Sequence, residues 1–130
     1  MAVLTAEMQE LINKNQCYVA TADKLGRPNI GPKGSTRVLD EKTIYFAEVT
    51  AGQTLANLRE NPRAAIVAVD VKNSHGYRFV GTATIVEEGE LLEKAKEQLA
   101  AFGLVPKAVV TVAVEEIYSL DAGSAGKRLA

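Results

Sequence analysis

Two short segments hold the residue types that could bind a phosphate-bearing ligand. One contains Asn29, Gly31, Pro32, Lys33, Gly34, Ser35 and Arg37. The other contains Glu48, Val49, Thr50, Gly52, Gln53, Thr54 and Asn57. They flank a tight turn at Asp40-Glu41-Lys42. If Val38 pairs with Thr43 across that turn, residues 31–35 lie beside residues 46–52. Gly52, Gln53 and Thr54 would then open a short helix whose first N–H groups lack intrahelical partners and whose dipole favours an anion. Thr54 adds a hydroxyl, Lys33 a cation from the neighbouring strand, and Gly31 and Gly34 permit close approach of backbone to a flat ring. The same spacing also suits a purely structural helix cap at Thr54 and a turn at Gly52.

Other chemistries lack their residues. The only cysteine is Cys17, so no internal disulfide forms, and the thiol reads as a small buried hydrophobe at a strand start. No Cys/His set has zinc spacing, and there is no G-x-S-x-G elbow, Walker loop or G-x-G-x-x-G turn. His75, the only histidine, falls in a polar stretch and reads as a solvated loop residue. Glu87-Glu88 and Glu115-Glu116 are neighbours in strands, so each pair points to opposite faces. Lys and Arg number 15 against 16 Asp and Glu, which argues against a nucleic-acid footprint. No run of 18 apolar residues exists, and the first residues lack the basic and apolar regions of a secretory signal. The expectation is a cytoplasmic protein without nucleic-acid or membrane partners.

The elements that must position the two segments follow from periodicity. Thr5 caps a helix over 6–14, with Met8, Leu11 and Ile12 on one face. Extended stretches run over 17–23 and 29–38, the second interrupted by Gly31, Pro32 and Gly34. A strand over 43–49 leads into a helix over 54–61 that stops before Pro62. Residues 63–71 are apolar on both faces, which predicts a central strand; 77–87 and 107–120 are longer strands. Residues 90–102 carry Leu91, Leu92, Ala95, Leu99 and Phe102 on one helical face, closed by Gly103. The last nine residues read as a flexible tail. Short connections predict a mainly antiparallel sheet, closed or partly closed into a barrel, within one domain over 1–130.

Several motifs together resemble the pyridoxamine 5′-phosphate oxidase-like FMN-binding split barrels. They are Arg27-Pro28-Asn29-Ile30-Gly31-Pro32-Lys33-Gly34 with Arg37-Val38-Leu39-Asp40, then Gln53-Thr54-Leu55-Ala56-Asn57-Leu58-Arg59-Glu60-Asn61-Pro62. The ending Ile117-Tyr118-Ser119-Leu120 with Ala125-Gly126-Lys127 has the same look. The small FMN-binding protein type is the nearest match in size. The resemblance implies a six-stranded antiparallel Greek-key split barrel, mainly β with a few flanking helices, and a homodimer with one FMN per subunit at the interface. It implies that Gly31, Pro32, Lys33, Gly34 and Ser35 line the flavin, and that Val49, Thr50, Gly52, Gln53 and Thr54 hold its phosphate. Gln53 stands where the family usually has Lys or Arg, and Lys33 is the candidate to compensate. The arginines and histidines of a true pyridoxamine phosphate oxidase are missing. The function implied is a flavoprotein that moves electrons between a donor and an acceptor, or reduces a small substrate. The alternatives are an FMN-binding or sensing module without turnover, or a split barrel using deazaflavin F420 or haem. Residues 118–127 are expected to reach the partner subunit.

Overall fold

A computed structural model describes residues 2–130. The elements in chain order are α1 (Ala6–Lys14), β1 (Cys17–Ala22), β2 (Pro28–Pro32), β3 (Arg37–Asp40), β4 (Thr43–Glu48), α2 (Gln53–Glu60), β5 (Arg63–Asp70), β6 (His75–Val86), α3 (Glu90–Ala100) and β7 (Ala108–Ser119). Local signals behave as their chemistry dictates. The Thr5 side chain accepts from the Met8 N–H, one of the free donors of the α1 N-terminus. Beyond α3, Leu104 N–H bonds the Leu99 carbonyl and Gly103 N–H bonds that of Ala100. Gly103 has φ +69°, so it turns the chain as a Schellman glycine.

The fold is mainly β, an antiparallel split barrel, but it has seven strands rather than six. The order is β2-β1-β5-β6-β7-β4-β3, and every pairing is antiparallel. The extended stretch over 29–38 breaks at residues 33–36, where Thr36 N–H and its hydroxyl both bond the Lys33 carbonyl in a turn. The two halves pair with different partners and form the two opposite edges of the sheet. Seven flat strands would set those edges about 29 Å apart. Five Cα steps from Pro32 to Arg37 span at most about 18 Å. The sheet must therefore curl until its edges approach, and it stays open because β2 and β3 do not pair. Across the next hairpin Val38 faces Ile44, and Asp40 faces Thr43 after a bulge, one residue away from the expected Val38–Thr43 pairing.

The inner face of the curl buries Val19, Ile44, Phe46, Ile66, Phe79 and Val112, closed by Met8, Leu11 and Ile12 of α1 and by Leu55 and Leu58 of α2. On the outer face, α3 sets Leu92 and Ala95 against Tyr45, Ala47 and Val109. β7 is thus covered on both faces. β5 is covered only on the inner one. Its outward residues Ala65 and Val67 remain half-buried beside Tyr18, Ala20, Ile30 and Val80. The β6–β7 ladder slips at Gly81, where an added Cβ would overlap the Ala113 carbonyl.

Two expectations about the periphery are corrected. The last residues are not a free tail: Ser119 N–H bonds the Lys127 carbonyl at 2.8 Å, Leu129 N–H bonds that of Ile117 at 2.8 Å, and Tyr118 bridges to Arg128. Nor is His75 a solvated loop residue. It opens β6 opposite Asp70. Its Nδ1 lies 2.7 Å from Asp121 Oδ1, which also accepts from Gly76 N–H. Its Nε2 lies 2.6 Å from Glu7 Oε1, close enough for an ion pair though not aligned as a hydrogen bond. Glu7 also accepts from the Tyr77 hydroxyl at 3.1 Å. Pairing with Asp121 first, and with Glu7 second, raises the His75 pKa above its ordinary value against a smaller opposing effect of burial. These contacts tie α1, β6 and the chain after β7 together.

Two outcomes follow from this packing. Gly81→Ala should lower the urea midpoint by the equivalent of about 2–3 kcal/mol with little change in slope, because backbone must move to admit the methyl group. His75→Gln should cost most stability at about pH 6, below the ordinary histidine pKa. A group whose folded pKa is raised stabilises below its unfolded pKa and loses that contribution as pH rises through the folded value. The difference between wild type and variant, followed by urea unfolding against pH, should therefore shrink as the solution becomes alkaline.

Candidate functional site

The curl leaves a cavity of about 580 Å³ on the outer side of β4. Its walls come from three parts of the chain: the connection over 32–37, the end of β4 with the loop after it, and the C-terminal end of α3. The first two walls meet because Ser35 continues β3 toward β4. Its Oγ accepts from Ala47 N–H at 2.9 Å. The third wall follows from the packing of Ala95 on Tyr45 and Ala47, which carries Leu99, Phe102 and Leu104 to the rim. The volume lies within the range of small-molecule and cofactor sites.

The charged groups of the cavity have an uneven arrangement. Lys33 Nζ lies 2.9 Å from Glu48 Oε2, and the Glu48 side chain is only 2% exposed. The ammonium is thus neutralised by a buried carboxylate. The second oxygen, Glu48 Oε1, is buried and has no hydrogen-bond partner among the described residues. Arg37 is exposed at the mouth. Its Nη1 donates to the carbonyls of Gly34 at 3.1 Å and Thr36 at 2.7 Å, so its charge meets no carboxylate. Among the described residues it is the one lining cation left free to meet an anion.

The candidate residues fall into two groups. Pro32, Lys33, Gly34, Ser35, Val49 and Thr50 line the cavity together. Gly31, Gly52, Gln53 and Thr54 do not. Gly31 sits in β2 opposite Val19. Gly52, not Thr54, is the N-cap of α2. Thr54 is buried, and its Oγ1 accepts from Asn29 Nδ2 at 3.2 Å. Gln53 Nε2 donates to Asn57 Oδ1 at 2.6 Å, and Asn57 Nδ2 donates to Thr21 Oγ1 at 3.0 Å. These side chains dock α2 onto β1 and β2. The approach of α2 to the cavity comes through its backbone start, two residues after Thr50.

Sequence reasoning placed Arg37 and Glu48 in the two segments without giving either a role, and it passed over the α3 wall. Glu48 did carry a signal, since it is a charge at the end of the strongly apolar run Ile44-Tyr45-Phe46-Ala47. Nothing local announces the α3 residues, because their place depends on how that helix packs. Cys17 is buried in the core, and burial pushes its thiol up to about 11, which leaves it protonated and unreactive. The described residues contain no group of three or more metal-ligating side chains, and no helix is long and apolar enough to cross a membrane.

Comparison with known proteins agrees with this architecture. Residues 4–121 match the family model described as pyridoxamine 5′-phosphate oxidase. HupZ of Group A Streptococcus is 46% identical, with 95% of this chain and 98% of that one covered and a TM-score of 0.86. A Lactobacillus delbrueckii protein, provisionally assigned as a pyridoxamine 5′-phosphate oxidase, is 35% identical over 89% of this chain and 93% of its own, with a TM-score of 0.78. An FMN-binding protein of Syntrophomonas wolfei shares the fold at 23% identity, with coverages of 87% and 83% and a TM-score of 0.77. With a family match along nearly the whole sequence and the same fold in these solved structures, the chain belongs to the pyridoxamine 5′-phosphate oxidase family.

Proposed function

We propose that this protein is a cytoplasmic FMN-binding flavoprotein, a homodimer of single-domain chains. Its flavin passes electrons between a small-molecule or protein donor and an acceptor. The observation that carries the reading is the cavity walled by residues 32–35 and 47–50, with a free guanidinium at its mouth. A planar ring with a phosphate-bearing arm suits that pattern, and an FMN-binding protein shares the fold. Bound FMN would supply the electron chemistry, since a flavin accepts and donates electrons without a protein nucleophile. The chain's part is to hold and orient it. Pro32, Gly34 and Leu99 offer apolar surface to a ring, and Ser35 and Thr50 sit where hydroxyl and ribityl oxygens can be met. Arg37 replaces Lys33 as the cation for the phosphate, because Lys33 is committed to Glu48. His75 favours flavin over haem: both its ring nitrogens face carboxylates, which leaves none free for iron.

The homodimer rests on the uncovered face of the sheet. Ile30, Ala20, Ala65 and Val80 form an apolar row across four strands, with Tyr18 and Val67 beside it. Ile30 is 68% exposed and Tyr18 44%. Arg63 pairs with Glu115 and Glu116 at the margin, so both signs of charge border the patch. A surface of this kind suits a second copy related by a two-fold axis.

Purified protein mixed with FMN should show a shifted flavin absorbance and quenched fluorescence, and it should bind FMN more tightly than riboflavin. Arg37→Met should weaken FMN binding roughly tenfold, while riboflavin binding stays the same, because only the phosphate loses its partner. The absence of any flavin binding would overturn the reading. Ile30→Asp should convert the dimer to a monomer in sedimentation analysis without unfolding it, since the side chain lies outside the core.

A further inference from the structure

The apolar face of α3 and the turn after it runs farther than the sheet beneath it. Leu92, Ala95, Leu99 and Phe102 follow one another at helical spacing, while Lys94, Lys96 and Glu97 face solvent. Burial falls along that face. Leu92 is 4% exposed and Ala95 2%, Leu99 is half-buried, and Phe102 is 74% exposed. The first two rest on Tyr45, Ala47 and Val109. Leu99 touches the edge of that cluster and Phe102 lies beyond it, and both line the cavity. The backbone around Phe102 is nonetheless held. Its N–H bonds the Leu99 carbonyl at 3.0 Å, and Leu104 N–H bonds the same carbonyl at 3.2 Å. A fixed turn thus presents a bare aromatic ring at the rim of the cavity, where a ligand can reach it.

The cavity is a slot with the outer face of β4 as its floor. In the order β7-β4-β3, the connection over 32–35 leads into the β3 side, and α3 packs toward the β7 side through Val109. The two walls therefore stand on opposite flanks of β4, and Ala47 between them gives the floor only a methyl group. One wall offers Pro32 and the open backbone of Gly34. The other offers Leu99 and Phe102, and Gln98 is its only polar lining residue. A flat, uncharged ring fits between such walls, with an anionic arm toward Arg37 at the mouth. Aromatic surface gains from a second ring beyond the burial of its area.

We propose that Phe102 is a ring-binding residue, whose side chain covers one face of the bound isoalloxazine while Pro32 and Gly34 lie toward the other. This rests on the flavin reading above. The contact is made with the ring alone, so it does not depend on the phosphate. It differs in this from Arg37, which meets only the anion.

The test uses FMN and riboflavin together. Phe102→Ser should weaken the binding of both roughly tenfold, measured by fluorescence quenching, with the sedimentation of the protein unchanged. The side chain is exposed, so its removal leaves the core intact. A second readout reports the stacking itself. The chain has no tryptophan, and Phe102→Trp introduces one at the ring. Bound FMN should then gain a long-wavelength charge-transfer shoulder in its absorbance. Val105→Trp should give none, because Val105 is 70% exposed but does not line the cavity. If Phe102→Ser leaves both affinities within twofold, or if Phe102→Trp gives no shoulder, the assignment is overturned and the flavin reading stands. Loss of binding together with conversion to a monomer would place Phe102 at a subunit contact and overturn it as well. If wild type binds neither flavin, both readings fall.

Discussion

The four residues between Pro32 and Arg37 impose the constraint on which the rest of the molecule depends. They join one edge of a seven-stranded sheet to the other, and their length forces the sheet to curl. Curling creates an enclosed inner face that Phe46, Phe79 and their neighbours fill, and α1 and α2 close it. It also brings Lys33 and Ser35 against the end of β4, where Glu48 and Ala47 receive them. The cavity wall is thus a by-product of the same connection that shapes the core. A change in that connection would act on fold and site together.

Charge placement then distinguishes the two cations that line the cavity. A buried ammonium–carboxylate pair is neutral as a unit, and such pairs contribute little net stability because both partners lose their water. Its value here lies in geometry: it ties the connection over 33–36 to the end of β4. The guanidinium of Arg37 keeps its charge because only backbone carbonyls contact it. An anion is therefore drawn to the mouth of the cavity. The start of α2 lies close by, but its polar side chains are spent in docking the helix.

The clasp at His75 shows how distant parts of the chain share one job. Glu7 comes from α1 and Asp121 from beyond β7, yet both meet one imidazole. Because each ring nitrogen faces an anion, the clasp is complete only when the ring is protonated. The segment after β7 stays on the sheet through backbone hydrogen bonds as well, so its docking does not depend on that proton alone.

Local chemistry was legible without coordinates. The Thr5 cap, the Gly103 terminator, the stop at Pro62 and the long strands of β6 and β7 arise from interactions a few residues long, and the sequence states them directly. The resemblance in residues 27–40 and 53–62 also pointed to the split barrel and to the segment over 32–35. What only the tertiary structure decided depends on which elements become neighbours. The stretch over 29–38 had to be seen paired before it resolved into two edge strands. Lys33 had to meet Glu48 before its charge could be counted as spent, and α3 had to pack on β4 before Leu99 and Phe102 became part of a wall. Residue types and their spacing set how each segment can bend and which face it buries. The partner of a buried charge is set by the path of the whole chain, and no local pattern records that path.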